Sequence, residues 1–385
     1  MDKKLIDILF SLLRFEVIEA PLCTDIKEGV TAESLPALFQ LAKKHDLAHL
    51  IGDALDKNGL LNEGTEVKKR FLRERNMAVY RCEQLQYELD CICETLQEAK
   101  IPFIPLKGAV LRPLYPAPWM RTSCDIDVLV EEENLKRAIA ILEEKLQYNC
   151  TKIDQHDAQI FAENGTHIEL HFSLLESGSK PAVEGVLSRV WECADKQQVH
   201  CVMPDALLYT YIISHMAKHI KFGGCGIRAF VDVWILNHKV SFDKVERERL
   251  LCQAGLLSFS QAIERLANAW MEGEVPEATS ASLAEYILTG GVYGTFTNKV
   301  AVQQIQKKSG VAYLWFRMVP SYKQMKFKYP NLQKCPILYP FYIVKRWLLL
   351  LNKKKRALAL QEFDQTVYQD EKQENIAKLI NDLDL

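Results

Sequence analysis

The 385-residue chain has almost no net charge, no CxxC pair, no internal repeat, no low-complexity linker and no apolar run of bilayer length. Each absence excludes something. A formal net charge of -2 speaks against a protein that grips long nucleic acid by bulk electrostatics. A small nucleotide stays in play, because its phosphates need only a local basic patch and a metal. The eleven cysteines are scattered, with Cys91 and Cys93 the closest pair, and their odd number fits poorly with a disulfide framework. Reduced thiols in a cytoplasmic protein are the expectation. Residues 1–15 are apolar but carry Asp2, Asp7 and Arg14 and have no small-residue cleavage site, so they read as a first helix and not a signal peptide.

The most apolar stretch, residues 335–351, is interrupted by Pro336, Pro340, Lys345 and Arg346 and falls short of the roughly 20 residues a span requires. Lys353, Lys354, Lys355 and Arg356 follow it. It reads as a packed helix with a solvated basic end, with Tyr339, Phe341 and Trp347 among apolar neighbours. Weak peripheral membrane contact through 335–356 is the alternative.

What is present divides the chain into three textures. Residues 1–98 are helical, with Leu5, Ile8, Leu9, Leu12 and Leu13 at helical spacing. Residues 67–99 have no internal Gly or Pro and predict one long helix. Residues 99–203 change character. A short apolar strand at 101–106 ends in Lys107-Gly108, a proline-bearing loop follows, and 125–130 reads as a second strand. After a helix to Leu146, two strands at 158–163 and 166–173 flank Asn164-Gly165, the dipeptide favoured in two-residue type I′ turns. Residues 204–385 are helical again. A helix through 207–219 is stopped by Gly223, Gly224 and Gly226, a second begins near Arg228, and 371–385 reads as an amphipathic helix. The expected fold class is α+β, a small mixed-sheet core between N-terminal and C-terminal helical segments.

The sharpest motif is Asp125-Ile126-Asp127-Val128-Leu129-Val130. Residues two apart in a strand share a face at about 7 Å, so two carboxylates lie side by side next to an apolar run that must be buried. Their repulsion is relieved by a divalent cation, and hard oxygen ligands suit magnesium. A pair of acids at an exposed strand end is the equally weighted alternative. Glu169 shifts the balance. In residues 166–172, Ile168, Leu170 and Phe172 fall on one face and His167, Glu169 and His171 on the other. Glu169 can therefore join Asp125 and Asp127, and three carboxylates can hold two magnesium ions, with Mn2+ a substitute. Gly108 allows close approach of a phosphate to backbone amides, and Arg121 offers a planar fork to a triphosphate.

Leu106-Lys107-Gly108, Tyr115-Pro116, Arg121, Asp125-Ile126-Asp127 and Glu169-Leu170-His171 together resemble the uncharacterised bacterial nucleotidyltransferase family of the DNA polymerase beta superfamily. That superfamily has a strand ending in glycine, a helix, an acid-x-acid strand and a third acid on a later strand. The resemblance continues through His215, Met216, Ala217, Lys218 and His219, then Arg228 and Asp232, to Tyr329-Pro330 and 336–346. It implies nucleotidyl transfer from a nucleoside triphosphate to an acceptor hydroxyl, with release of pyrophosphate. Asp125, Asp127 and Glu169 would be catalytic and bind metal. Lys107, Gly108, Arg121 and His171 would hold the nucleotide, with His215, His219, Arg228 and Asp232 as pocket candidates. Two departures are visible: Gly108-Ala109 replaces the frequent Gly-Ser or Gly-Gly, and the gap from Gly108 to Asp125 is long.

Two other readings compete. His215 and His219, four apart on a helix, could hold a metal with Asp232 as in a hydrolase, although Met216 stands where HExxH has glutamate. A non-catalytic nucleotide-binding module on the same fold is the other. The acceptor is expected to be a small molecule or a protein, and long nucleic acid is disfavoured.

Overall fold

The computed structural model describes residues 2–175, 180–195, 199–221, 223–292, 294, 315, 318–322, 325, 329, 332, 335–348 and 371–385. They form two compact units, one of 1–218 with 226–288 and one of 219–225 with 289–385. Pro330 and the run Lys353, Lys354, Lys355 and Arg356 lie outside the described residues.

In the first unit, helices α1 (Lys3–Ile18), α2 (Thr24–Gly29), α3 (Ser34–Lys44), α4 (Ala48–Lys57) and α5 (Glu66–Glu98) precede the sheet. The long helix expected from the sequence is α5, 33 residues capped by Thr65, whose hydroxyl accepts from the Lys68 amide. Next come β1 (Phe103–Pro105), a single-turn α6 (Gly108–Leu111), β2 (Asp125–Val130) and α7 (Leu135–Leu146). The strands β3 (Asn149–Ile153), β4 (Asp157–Phe161) and β5 (His167–His171) complete the sheet. After α8 (Pro181–Leu187) and α9 (Val190–Cys193) the chain is helical through α10 (Asp205–Lys221), α11 (Ile227–Lys239), α12 (Lys244–Gln253), α13 (Leu257–Glu272) and α14 (Ala278–Gly290).

The sheet order is β1-β2-β5-β4-β3, with β2 parallel to β5 and every other pair antiparallel. The fold is therefore α+β with a mixed sheet. One face carries Ile126, Val128, Val130, Ala158, Ile160, Ile168 and Leu170. It is covered by Leu85, Leu89, Ile92 and Leu96 of α5 and by Leu135, Ala138, Ile139 and Leu142 of α7. Strand alternation then sends Asp125, Asp127, His167, Glu169 and His171 to the other face. The outer edge of β1 is not bare, since Phe103 exchanges backbone hydrogen bonds with Val199 and Cys201.

The β4–β5 turn differs from expectation. Gly165 has φ +85, but Asn164 is not in the left-handed region, so this is not a type I′ turn. The Gly165 amide bonds the Ala162 carbonyl, and Ala162 N–H bonds the Thr166 carbonyl. That is a longer turn with a glycine bulge. The cause lies in Asn164, whose Oδ1 accepts from the Thr166 amide and hydroxyl while its Nδ2 donates to Glu88 of α5.

Contacts divide the chain differently from 1–98, 99–203 and 204–385. Helices on both sides of the sheet hold the loop between α6 and β2. His49 of α4 donates to the Met120 carbonyl at 2.9 Å, and Thr122 donates to Asp46 at 2.6 Å. Arg228 of α11 donates to the Thr122 carbonyl at 2.7 Å and to Asp46 at 2.9 Å. Helices α4 and α11, one from each flank, are therefore part of the unit that carries the sheet.

In the second unit, α15 (Tyr339–Leu348) buries Ile343 against Met325 and Leu332, and α16 (Glu371–Asp382) lies near the end of the chain. Gly223, with φ +97, closes the end of α10, as the sequence predicts. Phe341 and Trp347 are not packed as expected. Both are exposed. All eleven cysteines are free thiols, and no helix among the described residues is long and apolar enough to cross a membrane.

Candidate active site

The site is built on the β2–β5 pair. The parallel register places Asp125 opposite His167 and Asp127 opposite Glu169. Asp125, His167 and Glu169 can bring one ligand atom each within 4.8 Å of one another, and so can Asp127, Glu169 and His171. Asp127 is only 3 % exposed. Its Oδ1 accepts from Lys107 Nζ and from His171 Nε2, each at 2.8 Å, and His171 Nε2 also lies 3.4 Å from Glu169 Oε2.

The electrostatics follow from this crowding. Burial alone would raise the Asp127 pKa, yet Lys107 and His171 hold it far below the usual carboxylate range. Asp125 is pushed up by burial and then by the charges of Asp127 and Glu169. A hydrogen bond from His171 lowers Glu169 despite its partial burial. Burial works against the charged form of His171, but its bonds to Asp127 and Glu169 raise its pKa. Three carboxylates thus face two cationic side chains, and the uncompensated repulsion sits on Asp125. The donor set is hard oxygen with flanking imidazoles, which fits a divalent cation.

Lys107 reaches Asp127 from a backbone at φ +42 and ψ -108, a strained conformation for a non-glycine residue. Gly108 beside it is required by close approach. A Cβ there would stand 3.0 Å from Arg112 Nη2, 3.1 Å from Arg121 Nη1 and 3.2 Å from Ser123 Oγ. The helix that follows is a single turn, so its dipole adds little charge stabilisation at Gly108.

Of the expected residues, the structure brings together Lys107, Gly108, Asp125, Asp127, Glu169 and His171. Arg121 lies next to Gly108 but is buried and committed to Asp232, Nε to Oδ1 at 2.9 Å and Nη2 to Oδ2 at 3.1 Å. Tyr115 donates to the same carboxylate at 2.7 Å. Arg228 serves the loop at Thr122, and His219 belongs to the second unit. Among the described residues, neither ligand cluster includes His215 or Asp232, so the hydrolase arrangement does not assemble.

His215 does interact with the sheet residues. Burial and then Lys107 push its pKa down to about 3. Tyr211 and Lys218 share its face of α10 at helical spacing, and sequence reasoning missed both. The Tyr211 pKa is pushed up to about 12 by burial, against the pull of Lys107. That of Lys218 is lowered by burial and then by Lys107. The periodicity around His215 was the signal that could have found them. Arg112 was also missed. It is buried beside Gly108, donates from Nη2 to Ser123 Oγ at 2.9 Å, and has Nε and Nη1 without partners among the described residues.

A small mixed sheet with an acid-x-acid strand, a third acid on its parallel neighbour and a Lys-Gly turn beside them is the arrangement that the sequence resemblance implies for a nucleotidyltransferase core. The model of the family described as "Uncharacterised nucleotidyltransferase" matches residues 31–272, well over half of the chain, and the chain belongs to that family. The matched span takes in α3 to α13, so the flanking helices that hold the loop lie inside it. No curated protein and no solved structure matches the chain.

Proposed function

We propose that this protein transfers a nucleoside monophosphate from a nucleoside triphosphate to an acceptor hydroxyl on a small molecule or a protein, in a magnesium-dependent reaction. The observation that carries this reading is the shared rung of Asp127 and Glu169, with Asp125 on the same face and its carboxyl raised by burial and by these two neighbours.

Asp125, Asp127 and Glu169 would hold the magnesium, two ions in the fullest form. When bound, magnesium supplies positive charge to the phosphates and to the acceptor oxygen. The acceptor oxygen forms its bond to the α-phosphorus as the bond from that phosphorus to the pyrophosphate oxygen breaks. The acceptor proton passes to Glu169, which keeps 24 % of its side chain accessible where Asp127 keeps 3 %. Lys107 and His171 keep Asp127 ionised and fixed in direction. The free guanidinium nitrogens of Arg112, next to Gly108, suit a phosphate oxygen. Catalysis of this kind is positioning and charge neutralisation.

The test is thermal stabilisation by each nucleoside triphosphate, with and without magnesium, followed by α-phosphate label transfer in a cell extract. Stabilisation that requires magnesium and vanishes in Asp125→Asn/Asp127→Asn, together with labelled product, is expected. Equal shifts in wild type and variant would sink the reading.

A further inference from the structure

The outward face of α15 has no place in nucleotidyl transfer. Phe341, Val344 and Leu348 recur at steps of three and four residues and form one stripe along the helix, with Ile337 exposed in the 3-10 turn (Pro336–Leu338) that leads into it. Ile337 is 86 % exposed, Phe341 63 % and Leu348 59 %. Ile343, Tyr339 and Tyr342 on the opposite side already serve the small core with Met325 and Leu332. Trp347 stands beside the stripe with its indole N–H bonded to the Met318 carbonyl. Such a stripe of large apolar side chains marks a contact surface.

The charge of the sequence that contains it points to the partner. Residues 286–361 contain fourteen Lys and Arg and not one Asp or Glu. The whole chain is at -2, so the remainder is acidic on balance and the positive charge is concentrated in this segment. A second copy of the chain would bring two like-charged faces together. Nucleic acid would satisfy the charge but offer nothing to Phe341, Val344 and Leu348. An anionic lipid surface satisfies both.

We propose that α15 docks this protein on anionic membranes. The helix lies in the plane of the interface with Ile337, Phe341, Val344 and Leu348 turned into the acyl boundary. Lys345 of the helix faces the lipid phosphates, and the sequence around it adds positive charge without any acid. An apolar face plus a polybasic field are the two signals that stable peripheral anchoring requires. The inference is independent of the reaction at Asp125 and Asp127.

The experiment is co-sedimentation of the full chain with vesicles of phosphatidylcholine alone or with about 30 % phosphatidylserine. Binding at least about tenfold stronger to the anionic vesicles, weakened by salt, is expected. Phe341→Glu/Leu348→Glu should remove it without lowering the melting temperature, because both side chains are already exposed. If that double variant fails to fold, Lys345→Glu provides the second reading and should weaken binding to phosphatidylserine vesicles alone. Equal binding to both vesicle types, no binding to either, or undiminished binding by the variants overturns the proposal. So does tighter binding to a duplex oligonucleotide that the double variant retains.

Discussion

Arg121 and Asp232 grip each other with a two-pronged ion pair across 111 residues of chain, and Tyr115 closes the third side of the carboxylate. The pair joins the loop before β2 to α11, so it sets where Asp125 emerges from that loop.

Breaking it from one side leaves a buried charge without a partner. Asp232→Asn is expected to cost about 3–5 kcal/mol in urea unfolding. The double variant Arg121→Met/Asp232→Leu should recover much of that loss, since no charge is then stranded. A cost below about 1 kcal/mol for Asp232→Asn would show that the pair does not hold the loop.

Arg112 is the reverse case, a buried guanidinium with two nitrogens idle. Burial and then Arg121 lower its pKa, against the opposing pull of Cys82, Asp125 and Asp127. Arg112→Met should leave the nucleotide-free protein as stable as wild type or up to about 1 kcal/mol more stable. The same change should cut the melting shift produced by magnesium and triphosphate by at least half. An unchanged shift would remove Arg112 from the phosphate site.

His45 gives a pH dependence well away from the carboxylates. It is fully buried, and its Nε2 donates to the Leu288 carbonyl at 3.3 Å. Burial pushes its pKa from 6.5 down to about 4. The unfolded chain therefore binds the proton first as pH falls. His45 contributes full stability above about pH 6.5 and loses it progressively towards pH 4, by roughly 3 kcal/mol in all. Melting temperatures between pH 7.5 and 4.5 check this. His45→Gln, which can still donate to Leu288, should flatten the profile, and a parallel drop in both proteins would count against it.

Much of the site is legible in the sequence because strand alternation is a strict two-residue rule. It fixed β2 at 125–130 and put Asp125 and Asp127 on one face, with Glu169 and His171 opposite Ile168 and Leu170. What the sequence could not show is who pairs with whom over long distances. Arg121 reads locally as a phosphate fork, and only the fold reveals Asp232 at its end. β3 went unread because its edge position leaves it mostly exposed, with no apolar alternation to announce it. The turn at Asn164 was misread as type I′ because Glu88, 76 residues earlier, takes the asparagine amide. Phe341 and Trp347 were assigned to a packed face because hydrophobicity alone does not say which surface covers it.

The alignment of β2 with β5 carries one more consequence. Asp127 sits across from Glu169 while Val128 sits across from Leu170, so chemistry and packing are written on alternate rungs of the same ladder. Threading β5 one position off would drive Glu169 into the apolar core that holds Ile92 and Leu142 and turn Leu170 out of it. A mis-threaded chain therefore cannot keep its interior and assemble a wrong trio of acids. Correct packing of the core and correct grouping of the acids are therefore set by a single event.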